Sequence, residues 1–145
     1  FGAHVAKSVT DAGGVHGLRI EIGTFTPAFS GATGANYTAQ EGRYVRFGNL
    51  VYFSIRIVLS QKGSLSGEVN IIGLPFLSAN AYVAVSVGYY AGLNLPSPYS
   101  GVAAYIFPVS PAVRLRKTRD TESSALVDTD MTNNAQFVIS GVYQI

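Results

Sequence analysis

The sequence predicts an all-β domain, an antiparallel β-sandwich or jelly roll. From Gly23 onward, runs with period-two alternation recur, rich in Val, Ile, Tyr and Phe. Gly, Pro, Asn and Ser bound them at the short intervals typical of sandwiches. No stretch keeps helical periodicity for three turns.

The N-terminal segment, residues 1–23, is rich in Gly and Ala. Leu18, Ile20 and Ile22 alternate with Arg19 and Glu21 near its end, so it reads as a connector ending in a short strand. Candidate strands follow at 24–29, 36–41, 43–48, 50–60, 67–73, 81–90, 102–108, 112–118, 123–128 and 135–144. One helical turn is expected over 130–133. Gly48-Asn49 suits a two-residue hairpin loop, because glycine accepts φ > 0 without steric cost. Pro96 and Pro98 remove ladder donors from 95–101, and "FPVSP" at 107–111 ends one strand before the next.

The strand at 50–60 poses a problem. Val51, Phe53, Ile55, Ile57 and Leu59 form one apolar face, as a strand over a core should. The opposite face, Leu50, Tyr52, Ser54, Arg56 and Val58, is mostly apolar too. Its expected cover is a neighbouring subunit or a second layer of the same chain. Arg56 is then expected to meet a carboxylate or carbonyls, since an unpaired buried charge is costly.

Composition points the same way. At 145 residues the chain fits one domain. Charged residues are 12% of it, half of the roughly 25% usual for soluble domains. Hydrophobic residues are 48% and mean hydropathy is +0.26. No apolar run reaches the roughly 18 residues of a membrane helix; the length allows an eight-stranded transmembrane barrel, and hidden surface in an oligomer is the favoured account. The net charge of +2 is too small to suggest nucleic-acid binding, and the absence of cysteine excludes a disulfide framework and thiolate chemistry. The chain begins at Phe1, and its single methionine is Met131; it is expected to be a piece of a longer polypeptide.

Nothing in the sequence points to catalysis. His4 and His16 lie in the connector, with no acid or cysteine at a metal-ligand spacing, so no metal and no cofactor are expected. No two carboxylates stand out as an acid–base pair, and no G-x-S-x-G turn occurs. "DTD" at 128–130 lacks the run of oxygen ligands of a calcium loop and reads as a turn with solvated acids. Arg114 and Arg116 share one strand face and read as part of a charged hairpin at a sheet edge, with contact to an anionic polysaccharide or a neighbouring subunit as the alternative. Asn36-Tyr37-Thr38 matches a glycosylation sequon. The candidate carbohydrate-binding residues are Tyr89, Tyr90, Asn94 and Tyr99, within "VGYYAGLNLPSPYSG". Tyrosine offers a ring for the C–H face of a sugar and a hydroxyl for its polar edge.

Four stretches in order, "GTFTPAFSG", "YTAQEGRYVRFGNLVYFSIRIVLS", "VNIIGLPF" and "NNAQFVISGVYQI", resemble the C-terminal domain of bacteriophage tail fibres and tailspikes. The resemblance covers about 24–145. It implies a jelly-roll β-sandwich assembled as a homotrimer on a virion appendage, outside the cell and without membrane insertion. Such domains bind host cell-surface glycan or lock the trimer of a depolymerase whose catalytic body lies upstream; residues 1–23 would be the neck. The position of Phe25 is often tryptophan in that family, and this chain has none, so sugar stacking must rest on tyrosine. The expected subunit interface is Leu50, Tyr52, Arg56 and Val58.

Overall fold

The computed structural model describes residues 19–31 and 33–145. His4, His16 and most of the expected connector lie outside these residues. The described chain is all antiparallel β, with a single curled sheet of half-barrel form. Its strands are β1 (Ile20–Phe25), β2 (Ala28–Phe29), β3 (Asn36–Phe47), β4 (Leu50–Gln61), β5 (Asn70–Ile72), β6 (Val83–Leu93), β7 (Gly101–Ile106), β8 (Ala112–Arg119), β9 (Glu122–Ala125) and β10 (Met131–Gln144). Their order across the sheet is β1-β3-β4-β10-β6-β7-β8-β5-β2, with β9 on β8. β6 carries the curl: its Val83–Val85 stretch pairs with β7, and from Ser86 it pairs with β10. The two end strands, β1 and β2, are consecutive in the chain and joined by Thr26 and Pro27. The architecture is consistent with the β-sandwich and jelly-roll class.

Alternation places the core. Val51, Phe53, Ile55, Ile57 and Leu59 of β4 are all buried, as expected. They meet Phe137, Ile139 and Tyr143 of β10, Ile106 of β7, Val113 and Leu115 of β8, Ile71 of β5 and Phe29 of β2. Phe29 packs edge-on to Phe137 at 5.9 Å, and Phe53 edge-on to Tyr143 at 5.7 Å. Each such fully buried side chain contributes about 1.5–3 kcal/mol through area removed from water.

Several sequence expectations are corrected. The runs at 36–41 and 43–48 are one strand, β3. Gly42 lies opposite Phe25, and a Cβ there would come within 2.6 Å of the Phe25 carbonyl oxygen and ring. This glycine permits a close approach and makes no turn. The expected helical turn at 130–133 is a 3-10 turn at Asp128–Asp130, and β10 starts at Met131. The charged hairpin is β8–β9, and β9, which pairs only with β8 among the described strands, is an edge; β8 itself is interior, with β7 on one side and β5 and β9 on the other. The Gly48-Asn49 hairpin loop forms as expected, with Gly48 at φ 61°.

Two local features carry testable consequences. Tyr143 is 1% exposed; its hydroxyl donates to the Phe76 carbonyl at 3.1 Å and accepts from the Phe76 N–H at 3.3 Å. Burial pushes its phenol up from 10.0 to about 12, with the Phe76 hydrogen bond pulling the other way. The folded state therefore holds this proton more tightly, so its stabilising effect is complete below pH 10 and is lost as pH rises through about 12. Denaturant melts from pH 9 to 12 should show the wild type losing on the order of 2 kcal/mol more than Tyr143→Phe. An equal loss in both proteins would contradict this.

The second feature is Val109, exposed in the turn after β7 with φ +51°, a conformation that a β-branched residue strongly disfavours. The turn is pinned there. Buried Ser78 donates its hydroxyl to the Phe107 carbonyl at 2.9 Å and accepts the Ser110 N–H at 3.0 Å, and the Val109 N–H reaches the Ala79 carbonyl at 3.2 Å. Asparagine tolerates this backbone, so Val109→Asn should raise the unfolding free energy by about 1 kcal/mol. A thermal melt lower than wild type would contradict the strain.

Candidate binding surfaces

The outer face of β1, β3, β4 and β10 answers the question posed by β4 only in part. Leu50 and Tyr52 are 47% and 49% exposed, so nothing among the described residues covers them. They belong to two apolar rows running across neighbouring strands. The register aligns Ile20, Phe47 and Leu50 in one row, and Ile22, Val45, Tyr52 and Val142 in the next. All seven are exposed. Single exposed apolar residues need no explanation, whereas a contiguous patch marks a surface that meets a partner. The next row is polar: Thr24, Arg43, Ser54, Ser140 and Ser86. Between these rows lies a shallow concavity of about 560 Å³, lined by Ile22, Thr24, Arg43, Val45, Tyr52 and Ser54 among others.

Arg56 and Val58 lie farther along the same strand. Val58 is half-buried. Arg56 meets a carboxylate as expected, but that of Glu41 in its own chain, directly opposite on β3 and 3.3 Å away. Both side chains are about half exposed, at 51% and 58%. A pair so exposed is worth less than about 1 kcal/mol. Glu21, on β1, makes a tighter contact. It accepts the Tyr44 hydroxyl at 2.6 Å, which lowers the carboxyl below its usual range, aided by Arg19, and raises the Tyr44 phenol.

The expected carbohydrate residues separate. Tyr89 stands on the outer face of β6, opposite Val138 and 52% exposed. Tyr90, the next residue, faces the core and donates its hydroxyl to the Ser100 carbonyl at 3.3 Å. Tyr99 closes the 96–99 turn, beside the Ser100 that accepts the Tyr90 hydroxyl. Its hydroxyl donates to Glu122 at 3.0 Å, and its ring carries Lys117 at 5.3 Å and Arg119 at 5.7 Å. Asn94 is exposed, and its backbone N–H donates to the Asp130 carbonyl at 2.8 Å. Tyr90, Asn94 and Tyr99 thus gather at one end of the domain, and Tyr89 looks out of the other side of the sheet.

Beneath Tyr99 is a group that the sequence reading missed. Lys117 lies on the inward face of β8 after Val113 and Leu115, and is 8% exposed. Its ammonium reaches both oxygens of Asp130, at 3.1 and 2.8 Å. Asp130 is 2% exposed and also accepts the Val127 N–H at 2.9 Å. The "DTD" acids are therefore not all solvated: Asp130 is the partner of a core lysine, and Asp128 accepts the Gly67 N–H at 3.0 Å. The signal was present in the alternation of Val113, Leu115 and Lys117, which points the lysine inward. Among the described residues no cluster of three His, Cys, Asp or Glu is placed to hold a metal ion. No helix among them is long and apolar enough to cross a membrane.

The fold has a counterpart among solved structures. It is similar to the crystal structure of the Dettilon tailspike protein, with a TM-score of 0.74 and 21% sequence identity. The similarity covers 86% of this chain and 24% of that protein, so this chain spans about a quarter of the tailspike's length. No family model matches the chain, and no curated protein matches it in sequence.

Proposed function

We propose that this chain is the C-terminal domain of a virion tail fibre or tailspike, that it assembles as a homotrimer, and that it takes part in recognising host cell-surface polysaccharide. The observation that carries the assembly is the pair of exposed apolar rows on β1, β3, β4 and β10, on a chain with only 12% charged residues. A row built from Ile22, Val45, Tyr52 and Val142 suits contact with another copy better than contact with water. The likeness of fold to a tailspike protein supports the setting, outside the cell on a tail appendage. On this reading the chain does no catalysis of its own, and any depolymerase activity belongs to an upstream body.

The test is binding of the assembled chain to capsule and lipopolysaccharide fragments from candidate hosts, by glycan array and calorimetry. Binding to fragments of one host and not of unrelated ones is expected. A correctly assembled protein that binds none of them would remove the recognition role and leave a structural trimerisation cap.

A further inference from the structure

The geometry points to a binding site for an acidic saccharide on the outer face of β7 and β8, built by Tyr82, Tyr105, Phe107, Arg114 and Arg116. It uses strands other than β3 and β4, and on β8 it takes the face opposite to Lys117, which lies under the Tyr99 ring. Its residues come from three places in the chain and meet through register. Ala84, Tyr105, Arg114 and Asn70 form one row across β6, β7, β8 and β5. Arg116 stands in the next row, between Ala103 and Ala125. The inward neighbours on these strands, Ala104, Ile106, Val113 and Leu115, fill the core, so this face is not needed to close it.

Rings held in fixed relation dominate the surface. Tyr82 is 67% exposed and Phe107 37%. Their centroids are 5.1 Å apart with the rings edge to face, and Tyr82 lies 6.0 Å from Tyr105. Phe107 is fixed from behind by Ser78, which holds its carbonyl, and by the pinned backbone at Val109. Exposed alanines, Ala84 and Ala103, flank Tyr105 across and along the sheet, where a single methyl leaves the surface low beside the ring.

Charge selects the ligand. The Arg114 guanidinium lies 4.8 Å over the Phe107 ring and 3.2 Å from Glu68, which also accepts from Asn70 at 3.3 Å. Among the described residues Arg116 bonds only neutral oxygens, the Ser123 carbonyl at 2.9 Å and hydroxyl at 3.4 Å. Glu68 thus pairs with Arg114 alone, and Arg116 meets no carboxylate among the described residues, which leaves a positive surplus beside the rings. A sugar ring offers a C–H face to tyrosine, and a sugar carboxylate offers paired oxygens to a guanidinium. An aliphatic protein surface would use neither cation. The choice of a saccharide rests on the recognition role proposed above; the place and the charge preference rest on this surface alone.

The test uses the full chain on an array of acidic and neutral oligosaccharides from bacterial capsules and lipopolysaccharides, with Tyr82→Ala and Arg116→Gln beside the wild type. Both side chains stand on the outer face, and unchanged melting temperatures check that the variants fold. Carboxylate-bearing oligosaccharides are expected to bind in preference to neutral ones, more weakly as salt rises. Each variant should weaken them about tenfold or more. Acidic-sugar binding that survives both substitutions but falls with Tyr99→Ala would overturn this site and leave the recognition role standing. A preference for neutral sugars would overturn the charge argument. No binding to any member of the array would remove both the site and the recognition role.

Discussion

Asp130→Ala is expected to lower the unfolding free energy by about 3–5 kcal/mol, the cost of leaving a buried charge without its partner. Lys117 is the charge in question. Its ammonium lies inside β8, 8% exposed, with both oxygens of Asp130 within 3.1 Å. The Tyr99 ring at 5.3 Å is its other attractive neighbour, too weak to replace a carboxylate. Asp130 also ties the 3-10 turn before β10 to the Val127 N–H, so its loss loosens the entry to the longest strand.

The cost arises from breaking the pair and not from lacking it. The hydration that two buried charges lose offsets most of their mutual attraction, and a neutral replacement of similar shape is often as stable. Lys117→Met with Asp130→Asn removes both charges while keeping an acceptor for Val127. The double variant should lie within about 2 kcal/mol of the wild type, well above Asp130→Ala. Urea melts of the three proteins at pH 7 check this. A cost below about 1 kcal/mol for Asp130→Ala would mean that Lys117 reaches water, contrary to its burial.

Tyr52→Arg is expected to abolish assembly and leave the fold intact. Tyr52 is 49% exposed at the centre of the row Ile22, Val45, Tyr52 and Val142, so the single chain loses little by the change. In an assembly through that face, the new guanidinium enters an apolar contact beside Arg43 with no carboxylate opposite. Burying an unpaired charge costs several kcal/mol, so the dissociation constant should rise by about 100-fold or more. Light scattering on the variant should give 15.3 kDa with an unchanged melting curve of the isolated chain. An assembly mass unaltered by Tyr52→Arg would move the interface elsewhere.

Local rules made much of the fold legible. Alternation in β4 identified Val51, Phe53, Ile55, Ile57 and Leu59 as core, and all five are buried. The Gly48-Asn49 hairpin followed from glycine's access to φ > 0. What was not legible depended on which strands meet. Gly42 looked like a break because its reason is Phe25, on a different strand. Arg114 and Arg116 looked like edge charges because β5, which covers one side of β8, lies about 40 residues earlier in the chain. Tyr82, Tyr105 and Phe107 meet only through the pairing of β6 with β7, so no local run showed them as one surface. Tyr89 and Tyr90 were grouped by proximity in sequence, although adjacent strand residues face opposite ways. Lys117 could have been read correctly, since its parity matched Val113 and Leu115; its charge argued against the inward placement.

The central claim is that the apolar rows on β1, β3, β4 and β10 are covered by other copies of the chain. Sedimentation equilibrium of the whole chain tests it most directly. The account predicts a particle of three times 15.3 kDa that persists on dilution. A stable monomer of 15.3 kDa at high micromolar concentration would contradict it.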